Sequence, residues 1–524
     1  MPARKLRQHH DHFATRSIHV GSEPDHVTGA VVPSLSVATT FVQDGIGKHK
    51  YARSSNPTRS QLEALLTSLE TSPISATSES SHEDVSGGDA CVFASGSAAT
   101  AAMVYWVSLQ KEEGGAGGDG KGGGGHILAI NDVYGGTARF LSRASRPTGV
   151  QVTYIDMEKA GEQGIRAALR EDTKLVWLEV PTNPLFLVPP LPLIAKIVHS
   201  IPKENRPLVV VDSTFLSPFY CAPLIPCGEA LPMADVVLTS LSKYSGGHSD
   251  LILGSLTVSP RTVQAKPHLL KGLRFLQNSF GATASPRDCH LMVRSLKTLS
   301  VRALKHGLNA LQIAAWLDAR PEVEDVKYVG LKSSKAFHMV THLLSANAKR
   351  ELEYLGWEFP YVVAETKGTP GTLAHTKTLG VPFGGMIGFR LKGASETQTE
   401  AFMLRLRLVS LAESLGGVES LIEAPYGMTH AMLPRRHTTG SKPPHAVYET
   451  PRNSGPMPGR PRCHESTAAS LGQSRPRSLS PIVDGASLAR LLNFLDTSSS
   501  LVLSKRLEPD SYVSSTLRTA APAD

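Results

Sequence analysis

Between residues 90 and 240 the chain repeats one device: a short apolar run that stops abruptly at a small or polar residue. "ACVFA" (90–94) leads into "SGSAATAAMVYWVSL", "HILAI" (126–130) into "NDVYGG", and "KLVWLEV" (174–180) into "PTNP". "PLVVVD" (207–212) leads into "STF", and "DVVLTS" (235–240) into "LSKYSGGHSD". Unbroken runs of this length, separated by helical stretches, fit strands covered on both faces. The pattern predicts an α/β fold built on a mostly parallel sheet. In such sheets ligands bind outside the carboxyl ends of the strands. The unusual polar residues of this region all fall at such ends, so the loops describe one candidate crevice.

Length and charge narrow the setting. A chain of 524 residues with 41% apolar content is expected to form two or three domains with a substantial core. No apolar stretch is long enough to span a bilayer, and Met1-Pro-Ala-Arg-Lys lacks the apolar core of a secretory signal. A cytoplasmic protein without a membrane partner is the expectation. Five scattered cysteines, Cys91, Cys221, Cys227, Cys289 and Cys463, contain no CxxC pair and argue against a disulfide framework or a metal site. The net charge is +8, of which +6 lies between Arg435 and Arg477. That stretch is crowded with Pro, Gly, Ser and Thr and reads as a disordered tail, which argues against a nucleic-acid partner. Low-complexity insertions near 71–88 and 111–126 read as surface loops; the second lacks the Lys-Ser/Thr ending of a P-loop.

The strand ends carry the chemistry. "SGSAAT" opens an Ala-rich helix and offers the Gly96 and Ser97 amides to an anion. Ser240 and Ser242 add hydroxyls, with Lys243 immediately beyond. Asp212 ends a wholly apolar run, where a carboxylate needs a cationic or N–H partner; a protonated ring nitrogen would serve. Tyr134 offers an aromatic face to a flat ring. Singly, each has an ordinary structural explanation. Together they describe a phosphate seat, a stacking face, an acid for a pyridine nitrogen and an amine able to form a Schiff base, the requirements of pyridoxal 5'-phosphate.

From Phe13 to Pro434 the chain also resembles the Cys/Met-metabolism family of pyridoxal-phosphate enzymes, most closely its cystathionine γ-lyase branch. The resemblance rests on "FATRSIHVG", "AVVPSLSVATTF", "KYARSSNPTRSQLE", "FASGSAAT", "NDVYGGT", "PTNP", "VVDSTFLSP" and "SLSKYSGGHSD", in family order. It implies an aspartate-aminotransferase-like (fold type I) architecture: an N-terminal arm (1–62), a large cofactor domain (63–303), a smaller α+β domain (304–434) and a divergent tail (435–524). It implies that Lys243 holds the cofactor, Asp212 pairs with its ring nitrogen and Tyr134 stacks on the ring. Gly96, Ser97, Ser240 and Ser242 would hold the phosphate, and Asn183 would lie beside the cofactor hydroxyl and the substrate carboxylate. Tyr51 and Arg53 of the arm would reach the neighbouring subunit's site, implying a homotetramer of active dimers. Glu413 stands where γ-acting members carry glutamate, so Glu413 and Ser414 are expected on the side of a small amino-acid substrate.

The implied activity is cleavage of L-cystathionine to L-cysteine, 2-oxobutanoate and ammonia. A γ-synthase or an O-acylhomoserine sulfhydrylase is the alternative within the family. The chain also departs from the family: Ala52 replaces Ser/Thr, Ser213 an asparagine and Ser295 a glycine. After "APYGMTHAMLPRR" it lacks the strand of type Arg-Leu-Ser-Val-Gly-x-Glu whose arginine grips the substrate carboxylate. A cofactor-binding oligomer of impaired activity is therefore the alternative from another class.

Overall fold

The computed structural model describes residues 12–425 except 26, 44–48, 72–87, 111–123, 227–231, 362–368 and 370–371. Most of both low-complexity insertions and the whole basic tail, including the place of the missing arginine strand, lie outside the described residues. The strands are β1 (Asp89–Phe93), β2 (His126–Ile130), β3 (Gln151–Ile155), β4 (Thr173–Glu179), β5 (Leu208–Asp212), β6 (Val236–Ser240) and β7 (Gly254–Val258). They form one sheet in the order β1-β7-β6-β5-β4-β2-β3. Pairings from β3 through β6 are parallel, while β7 runs antiparallel to both β6 and β1. Two reversals cancel, so β1 points the same way as the parallel strands. The carboxyl ends of β1, β2, β4, β5 and β6 therefore share one edge.

All five apolar runs became strands, and β2, β4, β5 and β6 are inaccessible along nearly their whole lengths. The last residues of β5 and β6, Asp212 and Ser240, are only half-buried because they open into the crevice. Helix Pro57–Thr71 covers β1 with Leu62, Leu65, Leu66 and Leu69, a spacing that puts all four on one helical face. Helix Gly96–Leu109 covers β6 and β7. Beyond the sheet, helix Leu299–Asp318 packs through Ala303, Ala310, Leu311, Ala314 and Leu317. Next to it, β8 (Val323–Lys327) pairs antiparallel with β9 (Gly388–Leu391). The short β10 (Ser410–Leu411) and β11 (Leu421–Ile422) pair in parallel and frame the loop between them. Among the described residues no helix is long and apolar enough to cross a membrane, and no His/Cys/Asp/Glu cluster could hold a metal.

One acid inside this core is unusual. Glu70, on the last turn of helix Pro57–Thr71, is 1% exposed and has no basic partner among the described residues. Burial pushes its carboxyl up to about 8, with the Thr239 hydroxyl opposing the shift. Its folded pKa lies above its unfolded one, so the group withdraws stability as pH rises from about 4.5 to about 8. Glu70→Gln should therefore be more stable than the parent above pH 8 by roughly 3–5 kcal/mol and nearly equal to it at pH 5. Urea unfolding at pH 5 and pH 9 checks this, and parallel pH profiles would refute it.

Candidate active site

One end of the crevice forms where helix Gly96–Leu109 starts. Ser95 caps the helix, its hydroxyl accepting from the Ala98 amide at 3.0 Å. A Cβ on Gly96 would lie 3.0 Å from the Ser240 Cβ and 3.2 Å from its Oγ, so glycine lets the helix start touch the end of β6. The Ser240 amide donates to Thr214 Oγ1 at 2.9 Å, and the Thr214 amide donates to Asp212 Oδ1 at 2.9 Å. One string of contacts thus joins Gly96, Ser240, Thr214 and Asp212 across the sheet edge. Ser97 lies exposed at the same helix start. Ser242 behaves differently from Ser240: its hydroxyl accepts from the Leu253 amide at 3.0 Å and donates to the Leu253 carbonyl at 3.3 Å. The Ser242 hydroxyl is therefore engaged in closing the Lys243 turn, a local role that the sequence did not reveal.

Across the sheet, Asp212 is the register partner of Glu179, which ends β4. Desolvation pushes the Asp212 carboxyl up to about 6 against the pull of Thr214. Burial and then the Asp212 charge push Glu179 up as well. No ion pair to either acid exists among the described residues. An acid in this state, half-open to a crevice and lacking a countercharge, fits a protonated ring nitrogen. Tyr134 follows β2 and donates its amide to Glu179; the Asn183 amide, just past β4, does the same. Tyr134 and Asn183 are thereby brought beside Asp212.

Lys243 sits in the turn between β6 and β7, half-buried, and burial lowers its pKa, with the Glu413 and Glu423 charges opposing. Its Nζ donates to Ser414 Oγ at 3.2 Å, a contact across 171 residues. That contact depends on Gly416, which has φ +74°; a Cβ there would lie 2.5 Å from the Tyr244 amide nitrogen. The Val418 amide donates to the Gly247 carbonyl at 3.0 Å and completes the seating of the 412–418 loop on the lysine turn. Beneath the turn, Arg302 donates to the Tyr244, Ser245 and Ser295 carbonyls at 2.7, 3.2 and 2.9 Å. Glu413 is exposed at the mouth, yet its charge, with that of Glu423, acts on both Lys243 and Tyr134. Burial, reinforced by Glu413, raises the Tyr134 pKa, so the phenol keeps its proton.

Tyr51 and Arg53 do not join this group within the chain. Arg53 donates to the carbonyl and side-chain oxygen of Asn278 at 3.3 and 3.2 Å, and its guanidinium lies 5.6 Å from the Tyr51 ring centroid. Their backbone is held by buried Arg59, which donates to the Ala52, Arg53 and Ser54 carbonyls at 3.2, 3.4 and 2.7 Å. Arg59→Ala removes all three hydrogen bonds and leaves Glu63 with one cation fewer, so a stability loss of about 2–4 kcal/mol is expected. Denaturant unfolding measures it; a loss below about 0.5 kcal/mol would show that the arm is held by other means.

Sequence reasoning missed Thr214, Glu179, Glu423 and Arg302. Glu179 had a signal, since it is the one acid in its apolar run, as Asp212 is in the next. Arg302 had none, because its acceptors are backbone carbonyls of distant turns.

Comparison with known proteins places the chain in a family. The family described as Cys/Met metabolism PLP-dependent enzyme matches residues 14–349 and 368–442. Cystathionine gamma-lyase of Macaca fascicularis is 37% identical over 432 residues, covering 82% of this chain and 86% of that protein. The crystal structure of cystathionine gamma-lyase from Lactobacillus plantarum, complexed with L-serine, matches with a TM-score of 0.61 and 32% identity. That match covers 81% of this chain and 90% of the other. Cystathionine gamma synthase from Xanthomonas oryzae pv. oryzae gives a TM-score of 0.61 and 30% identity over 80% of this chain and 88% of its own. The fold is the type I fold of pyridoxal-phosphate enzymes, with pyridoxal 5'-phosphate as the cofactor. With a match spanning most of its length and a crevice whose residues fit that cofactor, the chain belongs to the Cys/Met metabolism family of pyridoxal-phosphate-dependent enzymes, the carbon–sulfur lyases and synthases.

Proposed function

We propose that the protein cleaves the Cγ–S bond of L-cystathionine, taking up one water and releasing L-cysteine, 2-oxobutanoate and ammonia. The observation that carries this reading is the seating of the 412–418 loop on the lysine turn, which brings the Glu413 charge to bear on both Lys243 and Tyr134. A carboxylate at that mouth favours a substrate with a second ammonium group, which cystathionine has and O-acylhomoserines lack.

In this reading Lys243 would hold the cofactor, and its free amine would serve as the general base at Cα. Burial lowers its pKa and favours the neutral amine that such a base requires. Ser414 accepts from Nζ and aims it. The cofactor supplies an electron sink that makes the Cα and then the Cβ proton removable. Asp212 keeps a proton on the ring nitrogen, and Tyr134, whose phenol stays protonated, covers the ring and can donate to the departing sulfur. Gly96, Ser97 and Ser240 would hold the phosphate, and Ser242, engaged with Leu253, shapes the lysine turn. Asn183 orients the substrate carboxylate. Tyr51 and Arg53 complete a neighbouring subunit's site in a cytoplasmic homotetramer of active dimers.

Two assays test the reading: ketoacid release from cystathionine, and cystathionine formation from O-acylhomoserine plus cysteine. Cleavage should dominate; dominant synthesis would overturn the assignment. Visible cofactor absorbance with neither product would favour the cofactor-binding, impaired protein. Within the cleavage reaction, Glu413→Gln should raise KM for cystathionine about 5–20-fold with a smaller change in kcat, a split expected when a positioning charge is removed. An unchanged KM would remove Glu413 from substrate recognition.

A further inference from the structure

We infer that Glu179 is a positioning residue that sets the cofactor's stacking face and its hydroxyl partner from a single carboxylate beside the ring-nitrogen acid. The inference rests on the reading of Tyr134, Asn183 and Asp212 as cofactor contacts. Glu179 is 4% exposed and ends β4 directly opposite Asp212 in the register of β5. The Tyr134 amide is shared between both its oxygens, 2.9 Å to each, and the Asn183 amide donates to the same carboxylate.

A reciprocal contact locks the arrangement. Asp132, in the loop after β2, accepts from Thr182 Oγ1 at 2.5 Å and from the Leu185 amide at 3.0 Å, both in the loop after β4. The end of β4 and the loop after β2 thus each supply an acid to the other's segment across the β2–β4 pair. Tyr134 stands at the start of a short helix with φ −47° and ψ 135°. Fixing its amide therefore fixes the point from which the side chain leaves the backbone. Packing alone would not require a carboxylate here: burial disfavours the charge, and the nearest charged groups acting on it, Asp212 and Asp132, are acids as well. A group retained at that disadvantage and hydrogen-bonded to two site residues is explained by orientation.

Glutamine is isosteric but turns one acceptor into an N–H donor facing the Tyr134 amide; aspartate keeps the charge but is one methylene short. In full-length protein reconstituted with pyridoxal 5'-phosphate, Glu179→Gln should weaken cofactor binding at least about 10-fold. It should also reduce the visible circular dichroism per unit of cofactor absorbance by about half. Both effects report ring placement, which a loss of stability alone would not change. Glu179→Asp should show the same changes at smaller size. Wild-type dissociation constant and dichroism in folded Glu179→Gln would overturn the inference. Should both variants fail to fold, amide exchange in the unaltered apoprotein decides: the Tyr134 amide should exchange at least about 100-fold slower than an open loop amide, and unprotected exchange would overturn the inference. Loss of bound cofactor absorbance in Lys243→Ala distinguishes the levels. If that variant keeps its colour the site reading itself fails, whereas normal dichroism in Glu179→Gln alone removes only the positioning role.

Discussion

Lys243→Ala protein, folded and saturated with pyridoxal 5'-phosphate, is expected to keep no visible absorbance after dialysis and to release ketoacid at least about 10⁴-fold more slowly than the parent. The substitution removes two functions of one nitrogen: the covalent hold on the cofactor and the base at Cα. The fold should survive, because the turn that carries the lysine is held by other groups. Ser242 closes it through both backbone groups of Leu253, and Arg302 ties the Tyr244 and Ser245 carbonyls to the 295–302 segment. Absorbance that persists after dialysis, or ketoacid release near the parent rate, would refute the assignment of Lys243.

The second large effect is expected at Asp212. Asp212→Asn keeps the shape and the Thr214 amide contact, but it cannot hold a proton on a ring nitrogen by charge. A fall in kcat of about 10²–10³-fold is expected, the size seen when a preorganised electrostatic group is removed from a desolvated site. Stability should move the other way. In the apoprotein the Asp212 pKa, raised to about 6, lies above its unfolded value of 3.8. Its contribution is therefore present at low pH and is lost as pH rises from about 4 to about 6. Apo Asp212→Asn should accordingly be more stable than the parent at pH 7 by roughly 1–3 kcal/mol and equal to it near pH 4. A variant less stable than the parent at pH 7 and fully active would make Asp212 an ordinary structural acid.

Most of the crevice could be read from the sequence because it lies where a local signal changes. An apolar run that stops at Asp212, Ser240 or "SGSAAT" marks both the end of a strand and the place where polar atoms gather at the sheet edge. Two strands carried no such signal. In β3, "QVTYI" is exposed or half-exposed throughout because it is the sheet edge, and β7, "GSLTV", opens with glycine and serine. The omission of β7 matters, since its two antiparallel pairings return β1 to the common direction and deliver Gly96 to Ser240.

The sequence by itself determined five of the seven strands of the sheet and the edge at which their polar ends gather, and it singled out Lys243, Asp212 and Tyr134 as a candidate set. These follow from composition and order along a few residues, where apolar burial and the strand period act locally. Only the tertiary structure decided that Ser414 meets Lys243 across 171 residues, that the Ser242 hydroxyl serves the backbone, and that Glu179 holds both Tyr134 and Asn183. Such contacts depend on strand order and on how loops from separate elements pack at one edge. A hydrogen bond acts over about 3 Å of space and is indifferent to separation along the chain.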